Sequence, residues 1–197
     1  MRNIMLLLAM LAVFLFILES SARLSKKKEI SKRRHLRLLV ISGIFIALIF
    51  LTIIQFHVPI LIGVVHFGDS LIFLAATLLP PPYSLFVAAL GPGLFNLARI
   101  PMWFPFTIVI KPLMALCFTS SGEQILGSKR NFIAPFLAVI INTVLYFGGN
   151  MFFAGWAGGV GALPGLVIQG VGSIVFFFIF AVALDAAKVK KLLKLQE

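Results

Sequence analysis

Charge is scarce in this sequence. Asp, Glu, Lys and Arg make up 12 % of its 197 residues, where about 25 % is usual for a soluble domain. Between residues 38 and 98 only Asp69 carries a formal charge. Apolar side chains account for 61 % of the chain, and its mean hydropathy is +1.11. A water-soluble fold of this length has no core large enough to hide that much apolar surface. Lipid is therefore the expected solvent, and an integral membrane protein the expected class.

Other absences narrow the function. Cys117 is the single cysteine, so no internal disulfide and no cysteine-based metal cluster can form. It reads as a small buried apolar side chain. No G-x-x-x-x-G-K-[ST] loop occurs, so ATP is not bound in that way. No H-E-x-x-H occurs, and Ser173 in "GVGSIV" lacks the Gly-x-Ser-Gly frame of a rhomboid-like protease. An enzyme is not expected, nor a metal or cofactor. No internal repeat or low-complexity segment is visible, which counts against a secondary transporter built from inverted repeats.

The basic residues are clustered. Arg23, Lys26, Lys27, Lys28, Lys32, Arg33, Arg34 and Arg37 form one block, and Lys188, Lys190, Lys191 and Lys194 another. Both flank apolar spans, as cytoplasmic loops of membrane proteins do, and both suit an anionic lipid surface. No interleaved aromatics or motif beside them suggest nucleic acid, despite the net charge of +11.

Six apolar segments follow the first block, at about 37–56, 60–80, 83–99, 104–120, 131–153 and 164–187. Each is near the roughly 20 residues a membrane helix needs, the second and third being short. Helices satisfy their own backbone in lipid, and the polar alternation of barrel strands is missing. The expected fold is an all-α integral membrane protein, a six-helix transmembrane bundle over 37–187. The connections are "PPPYS" (80–84), the polar "SSGEQILGSKRN" (120–131) and the glycine-rich "AGWAGGVGALPG" (154–165). With the first basic block inside, six crossings place 80–84, 120–131 and the tail 188–197 inside too. Residues 1–24 hold a further apolar run, 4–18, followed by a basic linker over 25–36. A signal sequence, an extra non-cleaved helix with its N-terminus outside, and a downstream native start all fit it. The extra helix is the reading adopted here.

Within the spans a few polar residues stand out. Gly43 and Ala47 lie four apart on one helix face, a small-residue pair that lets another helix approach closely. Internal packing and docking of a membrane partner are equal readings. Lys111 sits in "FPFTIVIKPLMALCF". There a lysine costs on the order of 2.5–3.5 kcal/mol at a helix centre. It must snorkel, pair with Asp69, or face a ligand. Asp69 is placed either as the N-cap of the second span or at the border of an outward pocket with His66. Asn142, Tyr146 and Asn150 are spaced four apart and share a face, for interhelical hydrogen bonding or for a small-molecule pocket. Gln169 adds another amide. Trp103 and Trp156 fit either an interfacial aromatic belt or stacking on a flat heterocycle. His57, His66, Asp69, Asn96, Arg99, Trp103, Asn150 and Trp156 all fall in the outer half of this topology. They suggest a pocket built by the loops after spans 1, 3 and 5.

The small-residue face Gly43/Ala47, the stretch "HFGDSLIFLAATLLPPPYSLFVAALGPGLFNLA" and the segment "FPFTIVIKPLMALC" together resemble the S-component of energy-coupling factor (ECF) transporters. These are the substrate-binding membrane subunits of prokaryotic vitamin importers. The resemblance spans 37–187. It implies a plasma-membrane protein of six helices with both core termini cytoplasmic. It also implies one vitamin-like solute held near the outer face by loops 1, 3 and 5 and helices 4 to 6. A T-component would dock on the first helix, and two ABC ATPases would drive toppling and inward release. The pair here is Gly43-Ile-Phe-Ile-Ala47, with Gly where the family typically has Ala. The substrate-binding residues expected on this reading are His66, Asp69, Asn96, Arg99, Trp103, Lys111, Asn142, Tyr146, Asn150 and Gln169. A pyrimidine, pyridoxine or similar heterocycle would suit this mixture. The rival readings are a small secondary transporter, with Asp69 or Lys111 as proton relay, and a structural membrane subunit.

Overall fold

The computed structural model describes residues 31–56, 58–60 and 63–193, with positions 12 and 19. The extra helix expected within 1–24, His57, Lys194 and the first part of the 25–36 linker lie outside the described residues.

Helix α1, Lys32–Gln55, starts ahead of the expected 37. Ser31 caps it by accepting from the Arg34 N–H. A two-stranded antiparallel hairpin follows, β1 (Val58–Ile60) and β2 (Gly63–Val65), with Val58 opposite Val65. The second span was expected to begin at 60, but helix α2 covers only Gly68–Leu78. Pro59 cannot continue a helix, and the β-branched residues around it favour extended backbone. Eleven residues rise about 16 Å, roughly half the hydrocarbon core. Helix α3, Pro81–Arg99, begins with prolines in its first turn, where the missing N–H costs nothing. A 3-10 turn, Pro101–Trp103, leads into the short α4, Phe104–Ala115.

The last long element, α5, runs Lys129–Ala186 and breaks at Ala154 and Gly155. Gly155 has φ +66°, a conformation that only glycine adopts without strain. The two arms, 129–153 and 156–186, fold back on each other. Gly170 of the second arm sits where a Cβ would lie 2.3 Å from Val139 of the first. The expected glycine-rich loop over 154–165 is thus largely helical, with a tight break in place of a long connection. Small residues let this stretch pack closely, and a helix satisfies the backbone that a loop would leave open. A short α6, Val189–Leu192, closes the described chain.

Polarity is inverted relative to a soluble protein. Leu36, Ile44, Leu48, Ile140, Val171 and Ile179 are exposed, while Asp69, Lys111, Asn131, Asn142 and Gln169 are buried. By length and composition, α1 and α5 are able to cross a membrane.

Arg37, Arg130 and Lys190 gather at one end. There Arg130 donates to the Cys117 and Leu116 carbonyls, and Arg37 to the Leu193 carbonyl. Lys190 inserts among the Ser120, Gly122 and Gln124 carbonyls. Burial lowers the Lys190 pKa, and Asp185 pulls it back up. The Asp185 carboxylate accepts the Ile125 and Leu126 N–H groups at 2.6 and 2.9 Å.

At mid-bundle α1 and α3 touch. A Cβ on Gly91 would lie 2.8 Å from Ile49 Cγ2. Gly91→Ala should therefore force these helices apart and destabilise the protein by about 1–3 kcal/mol, read as a lowered unfolding midpoint in detergent.

Candidate functional site

A cavity of about 270 Å³ lies away from the basic end. Eight of the ten expected site residues line it: His66, Asn96, Trp103, Lys111, Asn142, Tyr146, Asn150 and Gln169. They come from the segment before α2, from α3, the 3-10 turn, α4 and both arms of α5. The aromatic wall is built around Trp103. Its ring meets Tyr146 at 5.4 Å, Phe106 at 5.5 Å and Phe153 at 5.2 Å. Gly149 makes room for it, since a Cβ there would lie 2.8 Å from the indole.

The cavity floor is an ionic network. Lys111 Nζ donates to Asp69 Oδ1 at 2.7 Å and to Asn142 Oδ1 at 2.9 Å. Gln169 Nε2 donates to Asp69 Oδ2 at 2.8 Å. Lys111 also lies 5.2 Å from the Tyr146 ring centroid, within cation–π range. Asp69 is 2 % exposed and Lys111 3 %. Two charges removed from water persist only when paired and hydrogen-bonded, and here both conditions hold.

Lys111 thus pairs with Asp69 and also lines the cavity. Asp69 is not an N-cap: Phe67 holds that position, with no side-chain cap bond. In a low dielectric the amine 42 residues ahead outcompetes local N–H groups. The end of α2 is served instead by His66, whose Nδ1 accepts the Gly68 N–H. Lys111 does not snorkel. Asp69 lies behind the cavity wall rather than in it. Arg99 is exposed in the last turn of α3 and is no part of the lining, a place where a cation meets the negative end of the helix dipole. Trp156 is 68 % exposed and packs edge-on against Phe147, away from the cavity.

Thr107 is a residue the sequence reading missed. Its hydroxyl joins Asn96 Nδ2 at 2.5 Å to the Tyr146 hydroxyl at 2.7 Å, linking α3, α4 and α5. The available signal was its place one turn before Lys111 on the same face. Asn150 Nδ2 bonds back to the Tyr146 carbonyl, which leaves its oxygen directed elsewhere.

Gly43 and Ala47 face outward. Among the described residues, a Cβ on Gly43 would meet nothing within 4 Å, and the buried positions of α1 are Leu38, Ser42, Ile49 and Ile53. The pair borders a shallow apolar groove with Ile46, Phe50, Leu94, Leu97 and Ala98. Among the described residues, no internal packing partner meets this pair.

An apolar exterior around a half-open cavity with a charge-compensated floor fits a membrane protein that binds a small solute. The family of the ECF-type riboflavin transporter S component matches residues 34–186, and the chain belongs to that family. Its members are transport subunits rather than enzymes, and they work with a T-component and ATPases. The chain is also 28 % identical over 126 residues to a Pyrococcus woesei protein described as "Uncharacterized protein in gap 3'region". That match covers 60 % of this chain and 85 % of the relative.

Proposed function

We propose that this chain captures a neutral, flat heterocyclic vitamin at the outer face of a prokaryotic plasma membrane, with riboflavin the first candidate. The observation that carries this reading is the cavity floor, where Asp69 compensates Lys111. No uncompensated cation is left among the described lining residues, because Arg99 stands outside. An anionic solute would therefore be buried without a counter-charge. The Trp103 and Tyr146 rings offer faces for a planar ring system. The cavity lies away from the basic end, which the positive-inside tendency assigns to the cytoplasm. Six crossings are the reading for α1 to α4 and the two arms of α5. The groove at Gly43 and Ala47 is the surface for a T-component, which two ATPases energise.

Titration of the detergent-solubilised protein with riboflavin should quench flavin fluorescence as the ring stacks on aromatic side chains. Trp103→Ala should remove most of that quenching. Thermal stabilisation should accompany binding, by about 2.7 kcal/mol at a hundredfold excess over Kd. Nicotinate, pantothenate and biotin, each a carboxylate, should give no shift. Folded protein that ignores riboflavin would overturn the substrate assignment.

A further inference from the structure

The polarity of the cavity floor follows from one buried carboxylate. Asp69 is acceptor-only, so the group facing it from Gln169 must be the amide N–H₂. Lys111 is donor-only, so the group facing it from Asn142 must be the amide oxygen. Each amide then turns its other end away from the ion pair. Gln169 Oε1 and Asn142 Nδ2 have no hydrogen-bond partner among the described residues, and neither is sealed off. Both residues line the cavity. The floor thus offers a solute one acceptor and one donor, on facing arms of α5.

We propose that Asp69 is a positioning residue that sets this polarity, so that the floor reads an edge bearing N–H beside C=O, as in a lactam or imide. This rests on the heterocycle reading above and names the part of the heterocycle that is read. Asp69 does so without touching the solute. Its two oxygens hold one member of each chain, Lys111 directly and Gln169 directly, with Asn142 ordered through Lys111.

Substitution of Asp69 by Asn makes the claim sharp. Lys111 still needs an acceptor, so the new amide oxygen turns to it. The new amide N–H₂ then faces Gln169, and Gln169 must flip to present its oxygen. The floor changes from donor plus acceptor to two donors. An imide N–H that was matched becomes mismatched.

The test measures Kd by fluorescence quenching for riboflavin and for 3-methylriboflavin, in which the imide N–H is lost. Wild-type protein should prefer riboflavin by about tenfold or more, because the methylated ligand leaves a buried acceptor unsatisfied. In D69N the ratio should fall toward one. A merely structural role for Asp69 would weaken both ligands equally and leave the ratio intact, and that result overturns the proposal. Q169L removes the acceptor and keeps the ion pair. It should also collapse the ratio, and it carries the test if D69N does not fold. A ratio preserved in Q169L overturns the proposal as well. If wild-type protein binds both flavins equally, the imide reading fails while the riboflavin assignment stands. If neither binds, both fall.

Discussion

Asp69→Ala should lower stability by about 3–5 kcal/mol, because it leaves the Lys111 ammonium buried without its counter-ion. The effect is large because neither partner reaches solvent: Lys111 is 3 % exposed, and its other acceptor is a neutral amide. Removing both charges is a different experiment. Asp69→Leu with Lys111→Met replaces the pair by apolar side chains in an apolar medium, and should recover most of the loss. Asp69→Leu alone, Lys111→Met alone and the double variant form a cycle with the wild type, read as unfolding midpoints in detergent. A double variant as unstable as Asp69→Ala would mean that packing, not charge compensation, gives the pair its role. Riboflavin affinity separates the two functions of the site further. The double variant should fold and yet bind poorly, because Gln169 and Asn142 have then lost the charges that orient them.

The amino-acid sequence makes some of this legible and hides the rest for physical reasons. That Lys111 must find a partner or a ligand follows from its apolar surroundings, since a lone ammonium in lipid is too costly to leave uncompensated. That Asn142, Tyr146 and Asn150 share a face follows from helical spacing. The choice of Asp69 as the partner of Lys111 does not follow, because contacts between helices depend on rotation and tilt that spacing along one helix leaves open. Thr107 escaped for the same reason: a hydroxyl among apolar residues signals little until Asn96 and Tyr146 are brought to it. The hairpin at 58–65 was absorbed into an expected span because its residues are as apolar as a membrane helix. Pro59 was the available sign that the helix starts later. The stretch 154–165 misled in the opposite sense. Its glycines read as a loop by the rules of soluble proteins, whereas close-packed membrane helices use glycine freely. Arg99 shows the limit of reasoning from topology alone, which puts a residue at the right end of the bundle without saying which way it points.

Gly43→Leu should abolish riboflavin uptake in cells while leaving binding by the isolated protein within about twofold of wild type. The reasoning starts from an absence of neighbours. No described residue lies within 4 Å of a Cβ at position 43, so the larger side chain meets no obstacle among them. The groove it enters is lined by Ala47, Ala98 and apolar side chains, a surface on which another helix is able to come close only while the residues stay small. Leucine there would hold a docking helix away by the width of its side chain, and Ala47→Leu should act in the same way one turn further along. The chain carries no nucleotide-binding loop of its own, so uptake that depends on ATP must stop when the ATPase-bearing partners no longer engage. Co-purification of the T-component with each variant supplies the direct readout. Loss of co-purification with intact flavin quenching would place the defect at docking. Intact uptake in both leucine variants would remove this groove from the partner interface and send the search to the other exposed apolar faces of the bundle.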